Sequence, residues 1–245
     1  MIKRLIARQL KRFNRQIVHD PTIKNAQLSV IVPAESWKTG PNKQLLEISL
    51  KAAAQAVDVS HADIAAKMIE FPHWPEMWPG EHYKLLSALV QVIEPMIVVE
   101  IGTATGYSAL SMKKFLKPNA RIYSFDIVPW KEFPNCILQE QDFADGRLIQ
   151  VIDDLSVKTI FDKHTSILSQ ADFIFIDAAK DGVQEQVFIN HFSSLNFSSK
   201  PIFMFDDIRM MNMIDIWNNL EKPKLDLTFF GHWSGTGLVD WTGTK

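Results

Sequence analysis

The sequence predicts an α/β fold: a doubly wound, mostly parallel seven-stranded sheet, Rossmann-like in layout, with an N-terminal helical extension. Three observations carry this expectation. From Gly80 onward, short apolar runs alternate with helical runs. Carboxylates stand at the ends of those apolar runs. A glycine-bearing turn joins the first run to the first helix.

The apolar runs are MIVVEI (96–101), RIYSFDI (121–127), RLIQVI (147–152), ADFIFID (171–177) and PIFMFDD (201–207). Helical candidates lie between them, near 107–116, 155–169, 181–195 and 209–220, the alternation of βα units. The tail supplies two further strand candidates, DLTFF (226–230) and TGLVDW (236–241).

Upstream, residues 44–70 read as two helical pieces, with Ser60 a candidate N-cap for the second. FPHWPEMWPG (71–80) holds three prolines and cannot be a regular helix. It is either a connector or an aromatic wall over a pocket. Residues 2–18 place Ile2, Leu5, Ile6, Leu10, Phe13 and Ile17 at helical spacing, with Lys3, Arg4, Arg8, Lys11, Arg12 and Arg15 on the polar side. Such a helix packs on its own domain, on a second subunit as a homodimer, or on a membrane surface. Residues 20–43 look like a connector. The expected division is an extension and connector over 1–79 and a ligand-binding domain over 80–245.

Composition narrows the class. In 245 residues, 47% are hydrophobic, 22% are charged and the net charge is −2. No basic excess suggests nucleic-acid binding. Cys136 is the lone cysteine, so the chain forms no internal disulfide, which suits a reducing compartment. No apolar run reaches the roughly 18 residues of a membrane span, and the basic N-terminus lacks the apolar core of a secretion signal. A cytoplasmic location is expected.

The chemistry lies in where the acids fall. Glu100, Asp126, Asp177 and Asp206 close four of the apolar runs, and Asp153 follows another. Ligands of open parallel sheets bind outside the strand carboxyl ends. Several acids in one crevice raise each other's pKa unless a cation intervenes, so the pattern predicts a cationic ligand, a metal, or both. The bland alternative is that each acid caps the following helix. The segment Glu100-Ile-Gly102-Thr-Ala-Thr-Gly106-Tyr107-Ser108 has the strand–glycine turn–helix order that brings backbone N–H groups to a ligand. Ala104 breaks the dinucleotide fingerprint, although Asp126 lies about 20 residues beyond the second glycine, where a ribose-binding acid belongs.

EIGTATGYSAL, SFD, FIDAAK and MFDD together resemble the metal-dependent O-methyltransferases of the catechol and caffeoyl-coenzyme A group, class I enzymes that use S-adenosylmethionine. The resemblance covers roughly 80–210. It implies that Glu100, Gly102, Gly106, Tyr107 and Ser108 surround the methionine part of the cofactor, with Ser108 on its carboxylate. It implies that Asp126 binds the ribose hydroxyls and that Asp153 lies near the adenine. Asp177 then serves both the cofactor amino group and a metal, and Asp206 and Asp207 complete the metal ligands. Lys180 matches the catalytic lysine, beside Asp177. Hard oxygen ligands suit Mg²⁺ or a similar divalent cation. The family usually has aspartate then asparagine after the fifth strand, where this chain has Asp206-Asp207. The acceptor implied is a small hydroxylated molecule.

His164, His191 and His232 have no metal-like spacing and read as surface or packing residues. GHWSGTGL (231–238) reads as a hairpin turn, or else as a loop near the acceptor pocket carrying His232 and Trp233. Rival functions are a metal-independent methyltransferase, a nucleotide-cofactor oxidoreductase, and a non-catalytic membrane-associated binding module. Fold alone does not choose among these.

Overall fold

A computed structural model describes residues 39–68 and 70–243. The predicted helix at 2–18 and most of the 20–43 connector lie outside the described residues. Seven strands form one sheet: β1 (Ile97–Ile101), β2 (Arg121–Asp126), β3 (Leu148–Ile152), β4 (Phe173–Ile176), β5 (Ile202–Asp206), β6 (Lys224–Asp226) and β7 (Thr236–Asp240). Their order is β3-β2-β1-β4-β5-β7-β6, with β7 antiparallel to both neighbours and the remaining pairs parallel. The chain leaves β1 toward β2 on one side and returns beside β1 as β4 on the other. The strand order therefore reverses between β1 and β4, where such sheets bind ligands.

The near-continuous apolar runs follow from burial on both faces. Val98, Phe173, Phe175, Ile202 and Met204 point to one face. There they meet α1 (Lys43–Ala56), α2 (Tyr83–Ile93) and α3 (Tyr107–Phe115) through Leu45, Ala52, Leu85, Leu86, Ala109 and Met112. Val99, Ile174, Ile176, Phe203 and Phe205 point to the other. They meet α4 (Gln184–Ser193) and α5 (Met213–Asn219) through Phe188, Phe192, Met213 and Trp217. Adjacent residues thus serve opposite layers, the period-two pattern of a strand. The Asn42 side chain accepts from Leu45 N at 2.9 Å, capping α1, and donates to Asp240 at 2.8 Å, which ties the helix start to β7.

Four local expectations are corrected. Residues 226–230 do not form a strand: β6 ends at Asp226 and Thr228–Phe230 is a 3₁₀ turn. The Asp226 carboxylate accepts from Thr228 N at 2.9 Å, a local bond that turns the chain. The helix expected over 155–169 is two short pieces, Lys158–Lys163 and Thr165–Leu168, separated at His164. The helix expected from 209 begins at Met213. The piece after Ser60 is only Ala62–Ala65, with His61 as its N-cap, although Ser60 Oγ accepts from Ala62 N at 3.3 Å.

The proline-rich segment 71–80 is a connector that also carries an aromatic surface. Phe71 stacks on Trp74 at 4.6 Å between centroids, and Trp78 stacks on Phe230 at 6.2 Å while its indole N–H donates to the Phe230 carbonyl at 2.8 Å. Gly80 N donates to Gly231 O at 3.1 Å and Trp233 N to Gly80 O at 3.0 Å. These bonds join the segment to the loop between β6 and β7. Among the described residues, no helix is long and apolar enough to cross a membrane.

Gly102 sits where the β1 turn passes closest to the end of β4. It has φ +103°, and an added Cβ would lie 2.0 Å from the Asp177 carbonyl oxygen. Gly102→Ala is therefore expected to lower the unfolding free energy by about 2–4 kcal/mol in urea titration. Gly146→Ala, at φ +69° with nothing within 4 Å, is the control and should cost only about 1 kcal/mol.

Candidate active site

The site is built at the β1–β4 switch. Gly102 N donates to Phe125 O at 2.8 Å and Asp177 N to Ile101 O at 3.0 Å, so the ladder runs to the edge and holds both turns in register. Asp126 organises the glycine turn: Oδ2 accepts from Thr103 N at 2.9 Å and Ala104 N at 3.0 Å, and Oδ1 accepts from Val128 N at 2.9 Å. Gly106, at φ +84°, starts α3 and leaves room for Leu138, whose Cγ would lie 2.3 Å from a Cβ. Gly102, Ala104, Asp126, Asp153 and Asp177 line an open cleft with about 780 Å³ of empty volume.

Glu100 is fully buried beneath this turn. Its carboxylate accepts from Ser108 Oγ and from Ser124 Oγ, and Ser124 Oγ lies 2.7 Å from Thr103 Oγ1. Burial, helped by the nearby Asp177 and Asp126 charges, pushes the Glu100 pKa up to about 7 against the two hydroxyl bonds. Asp153 at the far side accepts from or is met by His164, with Nε2 2.7 Å from Oδ2.

Beyond Asp177 the acids gather. Asp177, Asp206 and Asp207 bring carboxylate oxygens within 4.8 Å of one another. Lys180 Nζ stands among them, 2.9 Å from Asp177, 3.9 Å from Asp206 and in contact with Asp207. Burial works against the Lys180 charge, but Asp177 and Asp207 outweigh it and hold the pKa above the ordinary lysine value. Desolvation and the neighbouring Asp206 raise the Asp177 pKa. Asp206 is itself buried, yet His82 and His232 beside it hold it well below the usual carboxylate range. Burial opposes an imidazolium at His232, and contact with Asp206 and Asp207 overrides this, pushing its pKa up to about 10.

The O-methyltransferase family model matches residues 59–194, more than half of the chain. The chain belongs to the O-methyltransferase family. Mouse catechol O-methyltransferase is 30% identical over 105 residues, covering 40% of this chain and 37% of the mouse protein, so the match spans well under half of that relative. A Staphylococcus aureus structure assigned as a caffeoyl-CoA O-methyltransferase superposes with TM-score 0.51 at 15% identity, covering 79% of this chain and 98% of that one. A SAH-bound methyltransferase from Podospora anserina gives 0.49 at 16% identity, covering 80% and 88%. At 15% identity, the likeness to the Staphylococcus aureus structure speaks to the fold alone.

Within this family member the residues singled out from sequence occupy one continuous stretch of the sheet edge. Gly102, Asp126, Asp153 and Asp177 share the cleft, and Lys180, Asp206 and Asp207 adjoin it. Glu100 and Ser108 bond each other below the turn. Tyr107 is buried and packs edge-on against Tyr83 at 6.0 Å. Asp207 caps no helix; it is buried at φ +57°, bonded to Lys180 and Ser234. Three neighbours escaped the sequence reading. His82 and Glu81 flank the cluster, and His164 is the partner of Asp153 rather than a free surface group. No spacing rule connects His82 to His232. Their meeting depends on the Gly80 bonds to the β6–β7 loop.

Glu100 sets a pH dependence with a definite sign. A folded-state pKa of about 7 against an unfolded value near 4.5 means the folded state keeps the proton longer. Stability therefore falls as pH rises from about 4.5 to 7, by about 3 kcal/mol. Glu100→Gln should flatten this slope in urea titrations and make the protein more stable than wild type at pH 8. An unchanged slope would remove Glu100 as its source.

Proposed function

We propose that this chain transfers the methyl group of S-adenosylmethionine to the hydroxyl of a small acceptor, with a divalent cation assisting. The observation that carries the reading is the convergence of Asp126, Asp153 and Asp177 on one open cleft at the strand switch, with Glu100 beneath it. A sulfonium-bearing, ribose-containing cofactor matches such a cleft in charge and in hydrogen bonding. Asp126 keeps acceptor capacity for ribose hydroxyls. Asp153, steadied by His164, stands on the adenine side. Gly102, Gly106, Tyr107 and Ser108 shape the methionine side, with Glu100 bracing Ser108 from below. Asp177 faces the amino group.

Residues 80–245 carry these elements in this proposal. The segment before Gly80 and the β6–β7 loop then form the acceptor side, with exposed Trp233 and the Trp78–Phe230 stack supplying aromatic surface.

Asp177, Asp206 and Asp207 offer the hard oxygen donors that Mg²⁺ prefers. When bound, such a cation lowers the pKa of an acceptor hydroxyl and orients its oxygen. The chain's own residues do the rest. With Lys180 paired to Asp177 and Asp207, its ammonium is held charged and takes no proton; it acts as a base only after leaving those carboxylates. In the paired arrangement it holds the carboxylates together and keeps a positive charge beside the acceptor oxygen. The walls of the cleft align donor and acceptor, the larger part of the rate in a displacement of this kind.

Calorimetry tests the reading. The wild-type chain should bind S-adenosylmethionine, and Asp126→Ala should weaken binding about 10- to 100-fold, the loss of hydrogen bonds to a charged acceptor. Mg²⁺ should raise methyl transfer to a catechol-type acceptor, and a chelator should lower it. Absence of cofactor binding by wild type would reject the proposal; chelator-insensitive transfer would reject only the cation.

A further inference from the structure

A second set of metal-type donors lies beside the carboxylate cluster and shares one residue with it. His82 is almost fully buried, and both of its ring nitrogens lack a hydrogen-bond partner. Asp206 Oδ1 is likewise buried without a hydrogen bond. The two groups nevertheless face each other, with His82 Nδ1 3.3 Å from Asp206 Oδ1. His232 Nδ1 approaches the same oxygen at 3.4 Å. One donor atom from each of His82, Asp206 and His232 falls within a single 4.8 Å group.

A buried imidazole and a buried carboxylate oxygen that face each other without an aligned hydrogen bond forgo about 1–3 kcal/mol each, which their charge attraction offsets only in part. The spacing accounts for it in another way. Two ligands at about 2.1 Å from one ion, at angles between octahedral and tetrahedral, stand about 3.0–3.4 Å apart. The 3.3 and 3.4 Å approaches have that length, and the His82 contact is misaligned for sharing a proton. The surroundings also resemble the outer groups of a metal site, where a carboxylate holds the far nitrogen of a ligating histidine. Glu81 Oε2 lies 3.6 Å from His232 Nε2, and Nδ1 turns toward Asp206, where it also meets Ser234 Oγ at 2.6 Å, the contact an ion would replace.

We infer that His82, Asp206 and His232 form a binding site for a divalent transition-metal ion. Two imidazoles and one carboxylate suit Zn²⁺, Co²⁺, Mn²⁺ or Fe²⁺ and disfavour Mg²⁺ and Ca²⁺. Asp206 is the bridge: Oδ2 faces Lys180 and the carboxylate cluster, and Oδ1 faces the histidines. Three protein ligands leave coordination positions for water or an acceptor oxygen. The site is independent of the methyl-transfer reading, because metal binding is measured without cofactor or acceptor.

The test uses the full chain and Co²⁺, followed by calorimetry and by visible d–d absorption. With about a hundredfold excess of Mg²⁺ over protein present to fill the carboxylate cluster, wild type should still bind one equivalent of Co²⁺ and show its bands. His232→Gln and His82→Gln should each weaken Co²⁺ binding about 100-fold, and Asp177→Asn should change it less than about threefold. Should His82→Gln fail to fold by circular dichroism, His232→Gln, at the partly exposed rim, decides alone. Wild type without Co²⁺ binding overturns the inference and leaves the histidines as counter-ions. So does binding that survives His232→Gln, or binding lost in Asp177→Asn, which would place the ion among the carboxylates.

Discussion

The structure depends on one electrostatic constraint: carboxylates crowded at the carboxyl edge of a buried sheet must be met by cations. Asp206 and Asp207 are almost fully buried, and Asp177 is adjacent. A buried charge left without a partner costs several kcal/mol. Lys180, His82 and His232 supply the compensation from three different elements. The edge of the sheet, the start of α2 and the β6–β7 loop are thereby pinned to one another. The site and the local stability of these loops share the same contacts.

Glu100 answers the same constraint differently. It is surrounded by hydroxyls, not cations, and burial moves it toward the neutral form. As a neutral acid it can donate a proton to a hydroxyl as well as accept one, so the Ser108–Glu100–Ser124–Thr103 chain has freedom in its hydrogen positions. That chain lies directly under the glycine turn, so the protonation of one buried residue is coupled to the backbone amides facing the cleft. Asp126, by contrast, is fixed by three backbone donors on the same turn. The two acids brace the turn from below and from the side.

Most of the sheet is legible in the sequence because each strand is buried on both faces, which leaves near-continuous apolar runs ended by acids. The exceptions have local causes. DLTFF has strand-like residues, but Asp226 bonds the Thr228 amide and turns the chain. The helix after β3 is delayed by the Asp154 side chain, which accepts from Ser156 N at 2.8 Å, and is interrupted where His164 reaches Asp153. The acids of the site are legible because they end strands. His82 is not. It follows a proline-rich connector whose position is set by backbone bonds to Gly231 and Trp233, and nothing in the chemistry of one segment encodes the other. Fold-level periodicity locates groups on regular elements; it is silent about groups delivered by loops that pair across the molecule.

The pair Asp206-Asp207 sharpens this point. An asparagine at the second position would lower the negative charge of the cluster and leave Lys180 close to sufficient as a counter-ion. The aspartate adds a charge, and one lysine no longer balances three carboxylates. The deficit is met here from the histidine side, through His232 in contact with both aspartates. A divalent ion meets the same deficit, and it binds neutral imidazole rather than imidazolium, so it must displace protons to enter. Histidine protonation and metal loading are therefore competing answers to a single charge imbalance. The carboxylate at position 207, in place of an amide, opens the deficit that either would fill.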